Sequence, residues 1–350
     1  MTMTSNRVPF RLTKLPVSGV LRPRLLLVSG LLAVLVFLAF CFGMTIGDYP
    51  LDLVGVVSAL FGGGESDAQF ILRELRLPRA LAGLLVGIAF GMSGALFQTI
   101  TRNPLASPDM IGINAGAATA VVGGLALGFG TGLGTQTLGL LGGIASALLV
   151  YLLAWRRGTT GYRIVLVGIG VSAMCTSATD YLLTKAQIAE AQRAMGWLVG
   201  NLNDRSWSHV VPLAVALAVL VPVTLLLGRW MRTLLMGDEV ATGLGTPVQS
   251  VRLVLLLAGV GMVAFGTAAA GPIVFVALVA PQITQRLVGM PWPPVVPSGL
   301  MGALIVLTSD VIARQIIPST QLPVGVVTGV LGAPLLLWLL SRANRSGSGG

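Results

Sequence analysis

The sequence predicts an all-α polytopic membrane protein of about ten transmembrane helices. Three observations predict it. Only 10% of the 350 residues are charged while 55% are hydrophobic, against about 25% charge in a soluble domain. The apolar residues fall in runs of about 20, the length a helix needs to cross ~30 Å of hydrocarbon. The cationic residues then sort to one side of those runs, as the positive-inside tendency requires.

In chain order, residues 1–24 form a cytoplasmic tail with five Lys or Arg, and Leu25–Ile46 is the first uncharged run. Gly47–Arg79 is a longer polar connection with a flexible point at Gly62-Gly63-Gly64. Further runs follow at Ala80–Thr101, Met110–Phe129, Leu133–Trp155 and Ile164–Thr184. Lys185–His209 is the second long connection, with a short helix expected at Met195–Val199. Val210–Gly228 is the sixth run. The 33 uncharged residues between Arg252 and Arg286 exceed one crossing. Gly271-Pro272 offers a turn that divides them, provided the pair starts near Pro247 and ends near Gly289. Val295–Ile312 and Leu322–Ser341 complete a 25–341 membrane domain, leaving 342–350 as a flexible tail.

Charge favours ten crossings. With the N-terminus inside, ten place 15 of the 22 Lys and Arg in the cytoplasm, whereas nine place 13 there. Both termini then lie on the cytoplasmic side.

Composition also excludes several functions. The net charge of +10 is scattered between apolar runs, which reads as topology and not as a nucleic-acid surface. Cys41 and Cys175 sit inside apolar runs, and His209 is the single histidine. That inventory fits neither a disulfide framework nor a transition-metal site. The glycine-rich pieces lack the Lys-Ser/Thr ending of a phosphate loop. Asp180 and Asp310 lie near the ends of their runs and none lies near a centre. This argues against an ion-coupled secondary transporter, the alternative from another class. Asp310 and Arg314, four apart, are placed to pair on a helix.

One stretch breaks the pattern. Arg229–Gly245 is a polar island between apolar runs, on the cytoplasmic side by the charge count. With no phosphate loop in the chain, such an island is where a soluble motor would push.

Four motifs, in order, carry a resemblance. They are LRLPRALAGLLVGIAFGMSGALFQTITRNPLASPDMIGINAGA at 75–117, LLMGDEVATGLG at 234–245, GPIVFVALVAPQITQR at 271–286, and DVIAR with QLPVGVVTGVLGAP at 310–314 and 321–334. The chain resembles the FecCD family, the permease subunits of iron–siderophore and cobalamin ABC importers. Within it the chain is most similar to ferric-enterobactin-type (catecholate) permeases. The resemblance implies a type II ABC importer permease of ten helices in the bacterial cytoplasmic membrane. The implied partners are ABC ATPase subunits, a second permease (a paralogue or an identical copy) and an extracytoplasmic substrate-binding protein. The chain is then not an enzyme. ATP and Mg belong to the partner ATPase, no cofactor or metal is bound here, and the cargo is a ferric siderophore, with cobalamin or haem as the alternative.

The resemblance also implies site residues. Leu234, Gly237, Asp238, Glu239, Ala241, Leu244 and Gly245 match the coupling segment that seats in the ATPase. The acidic pair suits a helix start, and Gly237, Gly243 and Gly245 permit a tight reversal. Arg76, Arg79 and Arg314 match the outward arginines that receive carboxylates of the binding protein. Met92, Ser93, Phe97, Gln98, Asn103 and Asn114 are expected along the translocation path, with Asn103-Pro104 ending its helix. Two departures remove titratable groups: Gln282 stands where many members carry histidine, and Gln321 where many carry glutamate. Met290-Pro291-Trp292-Pro293-Pro294 replaces the Arg-rich segment that follows in many members.

Overall fold

A computed structural model describes residues 8–11, 18–47, 49, 51–63, 65–128, 130–155, 161–317 and 321–347. The tail expected over 1–24 contains a small antiparallel hairpin, β1 (Val8–Arg11) with β2 (Ser18–Leu21), in which Val8 faces Leu21. Every element after it among the described residues is a helix. Helix α1 (Pro23–Thr45) starts on a proline, whose fixed φ suits a first turn.

The connection after α1 is folded, where the sequence reading left it irregular. It holds α2 (Leu53–Leu60), capped by the Asp52 carboxylate on the Gly55 amide, then α3 (Ser66–Phe70) and a π-helical stretch, Ile71–Arg76. That stretch runs without a break into α4 (Leu77–Thr101). A 3-10 turn, Pro108–Ile111, precedes α5 (Ile113–Ala126), and α6 (Gly130–Ala154) is bent at Gly134. Next come α7 (Gly161–Lys185), α8 (Ile188–Leu198), α9 (Trp207–Leu226), α10 (Gly228–Leu234) and α11 (Asp238–Gly243). Last are α12 (Val248–Ala270), α13 (Val276–Val288), α14 (Val295–Gln315) and α15 (Val324–Gly347). Helix α15 continues to residue 347, so the tail expected from 342 is largely helical; residues 348–350 lie outside the described part.

Seven helical stretches among the described residues are long and apolar enough to cross a membrane. Three expected crossings are shorter. The third keeps only Ile113–Ala126 as α-helix, because residues 108–111 wind more tightly. The tenth keeps Val324–Leu337 as its apolar part. The division of 253–285 occurs at Gly271, as expected, but α13 has 13 residues. Its entry is spent on a non-helical passage, with Gly271 at φ 78° and Phe275 at φ 68°.

The core is organised around α4, which packs against α14, α12 and α13. Small residues allow this. A Cβ on Gly94 would lie 1.7 Å from the Ala277 carbonyl oxygen, and one on Gly91 2.1 Å from that of Ser298. Backbone-to-backbone approach of this kind drives helix association where water supplies no hydrophobic force between spans.

Candidate functional site

Three groups of polar side chains interrupt this apolar body. At the end of the bundle that the charge count expects to face the cytoplasm, called inner below, α10 and α11 form a short helical pair joined by Leu235–Gly237. Gly237, at φ 108°, precedes α11, and Gly245, at φ 77°, follows it. Both conformations favour glycine. Gly243 does not share them; it is an ordinary last residue of α11. Leu234 and Ala241 are buried, so they seat the pair on the body, while Glu239 and Leu244 are exposed. Asp238 and Glu239 occupy the first turn of α11 as expected.

Asp238 faces the body. Both its oxygens accept from Arg252 Nη2 of α12 at 2.9 Å, and Arg102 Nη2 also donates to it. Arg102 closes α4 in a left-handed conformation, φ 53°, and its Nε donates to the Leu234 carbonyl at 3.0 Å. One carboxylate therefore ties α11 to the end of α4 and the start of α12. Burial pushes the Asp238 carboxyl up, but the hydrogen bonds and charges of Arg252 and Arg102 outweigh it and hold it below the ordinary carboxylate range. The position of Arg102 and Arg252 was visible in the sequence; their convergence on Asp238, across more than a hundred residues for Arg102, was not.

At the opposite end, called outer below, Asp310 of α14 is buried between two arginines. Arg79 Nη2 approaches one oxygen at 2.8 Å and Arg314 Nη2 the other at 2.7 Å. The expected pairing of Asp310 with Arg314 is thus present, with Arg79 added. Arg314 Nη1 also donates to the Gly43 and Ile46 carbonyls at 3.1 and 3.3 Å, which ties in the end of α1. Arg79 Nη1 donates to Gln321 Oε1 at 2.6 Å, on the exposed side of the cluster. Arg76 is different. It is buried, and its guanidinium donates to the carbonyls of Met44 and Tyr49. The π-helical stretch that ends at Arg76 shifts the helix face, and such stretches turn a side chain away from the regular register. Of the three arginines expected to meet a partner, Arg76 is buried while Arg79 and Arg314 are partly exposed, and Arg79 alone has a group turned to the surface residue Gln321.

The residues expected along the path divide. Met92, Ser93, Phe97 and Gln98 are buried in the packed core of the single chain. The reason is the central position of α4: Ser93 Oγ donates to the Gly259 carbonyl at 2.8 Å, and Gln98 Nε2 to that of Leu278 at 3.0 Å. Gln282 donates on to Gln98 Oε1 at 2.7 Å and to the Pro104 carbonyl at 3.1 Å. It therefore fastens α13 to the loop after α4. Asn103 is exposed and turns the chain by accepting from the Leu105 amide. Asn114 joins Asp109 to Thr267 of α12, whose hydroxyl donates to it at 2.7 Å. Burial pushes the Asp109 carboxyl up to about 6.

A surface absent from the sequence reading lies on α7. Gly170, Ala173, Ser177, Asp180 and Thr184 are all exposed, and their spacing of three and four places them on one helix face. Lipid does not favour a stripe of small and polar groups at that depth.

The comparisons with known proteins bear on this geometry. The FecCD transport family matches residues 34–342. The chain belongs to the FecCD family. It is 41% identical to the ferric enterobactin transport system permease protein FepG of Escherichia coli K12, over 92% of this chain and 98% of that protein. It is also 41% identical to the Fe(3+) dicitrate transport system permease protein FecD of the same organism, over 78% and 86%. The iron(3+)-hydroxamate import system permease protein FhuG of Bacillus subtilis is 35% identical over 91% and 98%. Among solved structures, one described as an inward-facing metal-chelate type ABC transporter superposes with a TM-score of 0.80. It is 25% identical and covers 90% of this FecCD chain and 99% of that one.

Proposed function

We propose that this chain is the transmembrane permease subunit of an ABC importer that moves a ferric siderophore across the bacterial cytoplasmic membrane. ATP hydrolysis on partner subunits drives it, and an extracytoplasmic binding protein delivers the cargo. The observation that carries the reading is the inner helical pair on a FecCD body: α11 presents Glu239 and Leu244 outward and hangs by Asp238 from α4 and α12. A helix held this way transmits a push to the two helices that hold it. The relatives named for ferric chelates support the cargo class.

The chain crosses the membrane ten times, with α13 and the passage before it forming one short crossing and both termini inside. Arg79 and Arg314 form the face that meets acidic groups of the binding protein, with Arg76 shaping that face from beneath. The path runs along the polar stripe of α7, opposite the same kind of surface on a second permease, which is a paralogue or an identical copy. Asn103 lies toward its inner end, and Asn114 lies farther along it, beside Thr267 of α12. The chain itself holds no cofactor.

The test is reconstitution. The chain is co-expressed with its chromosomal neighbours and placed in proteoliposomes with a ferric catecholate and the cognate binding protein. ATP hydrolysis and iron uptake are expected to rise together. A chain that purifies alone and leaves the ATPase of its neighbours unchanged would overturn the proposal.

A further inference from the structure

The short helix α2 has two apolar faces, and the chain covers one of them. Val56 and Ala59 are buried in a cluster with Met44, Ala68, Leu72 and Ala80. Leu53, Val54, Val57 and the closing residue Phe61 are exposed, Val54 to 74% and Phe61 to 84%. Their spacing puts all four on one side of the helix. No residue of α2 is charged, and an uncovered apolar face of this kind marks an interaction surface. Its place in the fold says what covers it. Met44, in the last turn of α1, packs with Val56 and Ala59. Arg73 Nη2 donates to the Leu60 carbonyl at 2.7 Å and so closes the end of α2. The Arg73 carbonyl in turn accepts from Trp207 Nε1 at 3.1 Å, and Trp207 begins α9. Helix α2 is therefore fastened at the level where α1 stops and α9 starts. Where spans stop, hydrocarbon gives way to headgroups, the level at which Trp side chains collect. Among the described residues, α1 is also the least covered of the long apolar stretches. Leu38 and Phe42 toward its end are exposed, as on a span that faces lipid.

We propose that α2 lies in the boundary of the outer leaflet, with Leu53, Val54, Val57 and Phe61 inserted among the acyl chains. An interfacial helix of this kind binds through the apolar area it buries. From Asp52 to Glu74 the chain carries four acidic residues and one arginine, so an anionic headgroup is not what holds it. A soluble partner that binds and leaves would bare this face to water between visits, whereas the bilayer is always present. The contact rests on the reading as a membrane permease only in needing a bilayer around α1 and α9; it is independent of cargo and motor. Its consequence is positional. Arg73 belongs to the π-helical stretch that runs through Arg76 into α4 and Arg79, so a lipid-held α2 sets the height of the arginine face above the membrane.

The test places a nitroxide label at Val54→Cys or Phe61→Cys in the full-length chain, with the exposed Asp67→Cys as control. The background carries Cys41→Ala and Cys175→Ala, and the protein sits in phosphatidylcholine nanodiscs. Collision with oxygen, which dissolves in lipid, is compared with collision with a water-soluble nickel chelate. Oxygen is expected to dominate severalfold at 54 and 61, and nickel at 67. Dominance of nickel at 54 and 61, lost only when the cognate binding protein is added, would overturn the proposal in favour of a docking face. Shielding from both probes would overturn it in favour of contact with a second copy. Where the cysteine-free background does not fold, Phe61→Trp on the native cysteines asks the same question. Its added emission should be quenched by phosphatidylcholine brominated on the acyl chains and not by iodide in water; the converse would overturn the proposal. Neither readout needs transport, so a wrong cargo and a wrong placement of α2 are told apart.

Discussion

The two ends of the molecule use one device in two settings. Each end holds a single aspartate between two arginines that come from different helices. At the outer end Asp310 is 3% exposed and its partners Arg79 and Arg314 are 13% and 10% exposed. At the inner end Asp238 is 44% exposed, with Arg102 at 41% and only Arg252 buried at 5%. The outer cluster joins three long helices, α1, α4 and α14, that are already packed. The inner cluster joins two long helices to a six-residue one that buries little else. Water makes the difference. A closed ion cluster has no alternative to its own geometry, whereas a half-open one can exchange partners with solvent or with another protein. The outer device is a strut and the inner one a tether.

The sharpest way to break the comparison is to remove the charge from each aspartate. Asp310→Asn leaves two nearly buried guanidinium groups around a neutral amide. Taking one partner from a buried ion pair costs about 3–5 kcal/mol, so the variant should yield little folded protein and melt far below the parent in detergent. A melt within a few degrees of the parent would show that the outer cluster is not a strut.

Asp238→Asn should behave otherwise. Its carboxylate is solvated enough that the fold survives, and the melt should stay close to the parent. The loss should appear in coupling. Iron imported per ATP hydrolysed should fall by about tenfold, the scale of one charge-assisted hydrogen bond lost. Glu239→Gln, on the exposed side of α11, should fall less. Equal effects of the two variants would mean that Asp238 acts at the ATPase surface and not through Arg102 and Arg252.

How much of this was legible beforehand follows from range. Apolar run length and the motif order revealed the helical body, the split of 253–285 and the α11 turn, because each is written in neighbouring residues. Gly237 and Gly245 were readable for the same reason. The partners of Asp238 and the burial of Arg76 were not, since they depend on which helices meet and on a π-helical shift of face. The burial of the residues expected along the path was hidden for a related cause. The mixed polar and apolar surface of Met92, Ser93, Phe97 and Gln98 suits a lumen by composition, but α4 lies at the centre of the bundle. There the polar groups serve carbonyls of neighbouring helices. The polar stripe on α7 was equally visible in sequence; only its exposure marks it out. A double substitution at Arg76 and Arg79 does not isolate docking. With Arg76 buried on the carbonyls of Met44 and Tyr49, that variant would report on folding instead.

The smallest expected effect is in pH, and it separates the tether from Asp109. The Asp238 carboxyl is held below the ordinary carboxylate value of about 3.9. A group depressed on folding adds stability that is fully present above its unfolded value and is lost as pH falls through the folded one. The tether should therefore be constant from pH 8 to 5 and release only below about pH 4. Asp109 has the opposite sign. Burial pushes its carboxyl up to about 6, so its protonated form is favoured in the fold. Its contribution is greatest below the unfolded value and declines as pH rises through about 6. Melting of the solubilised chain should thus rise slightly on acidification from pH 7 to 5 and fall below pH 4. Asp109→Asn should remove the first limb alone, and Asp238→Asn should blunt the second. A single monotonic decline from pH 7 downward, unchanged in Asp109→Asn, would show that neither acid governs the profile.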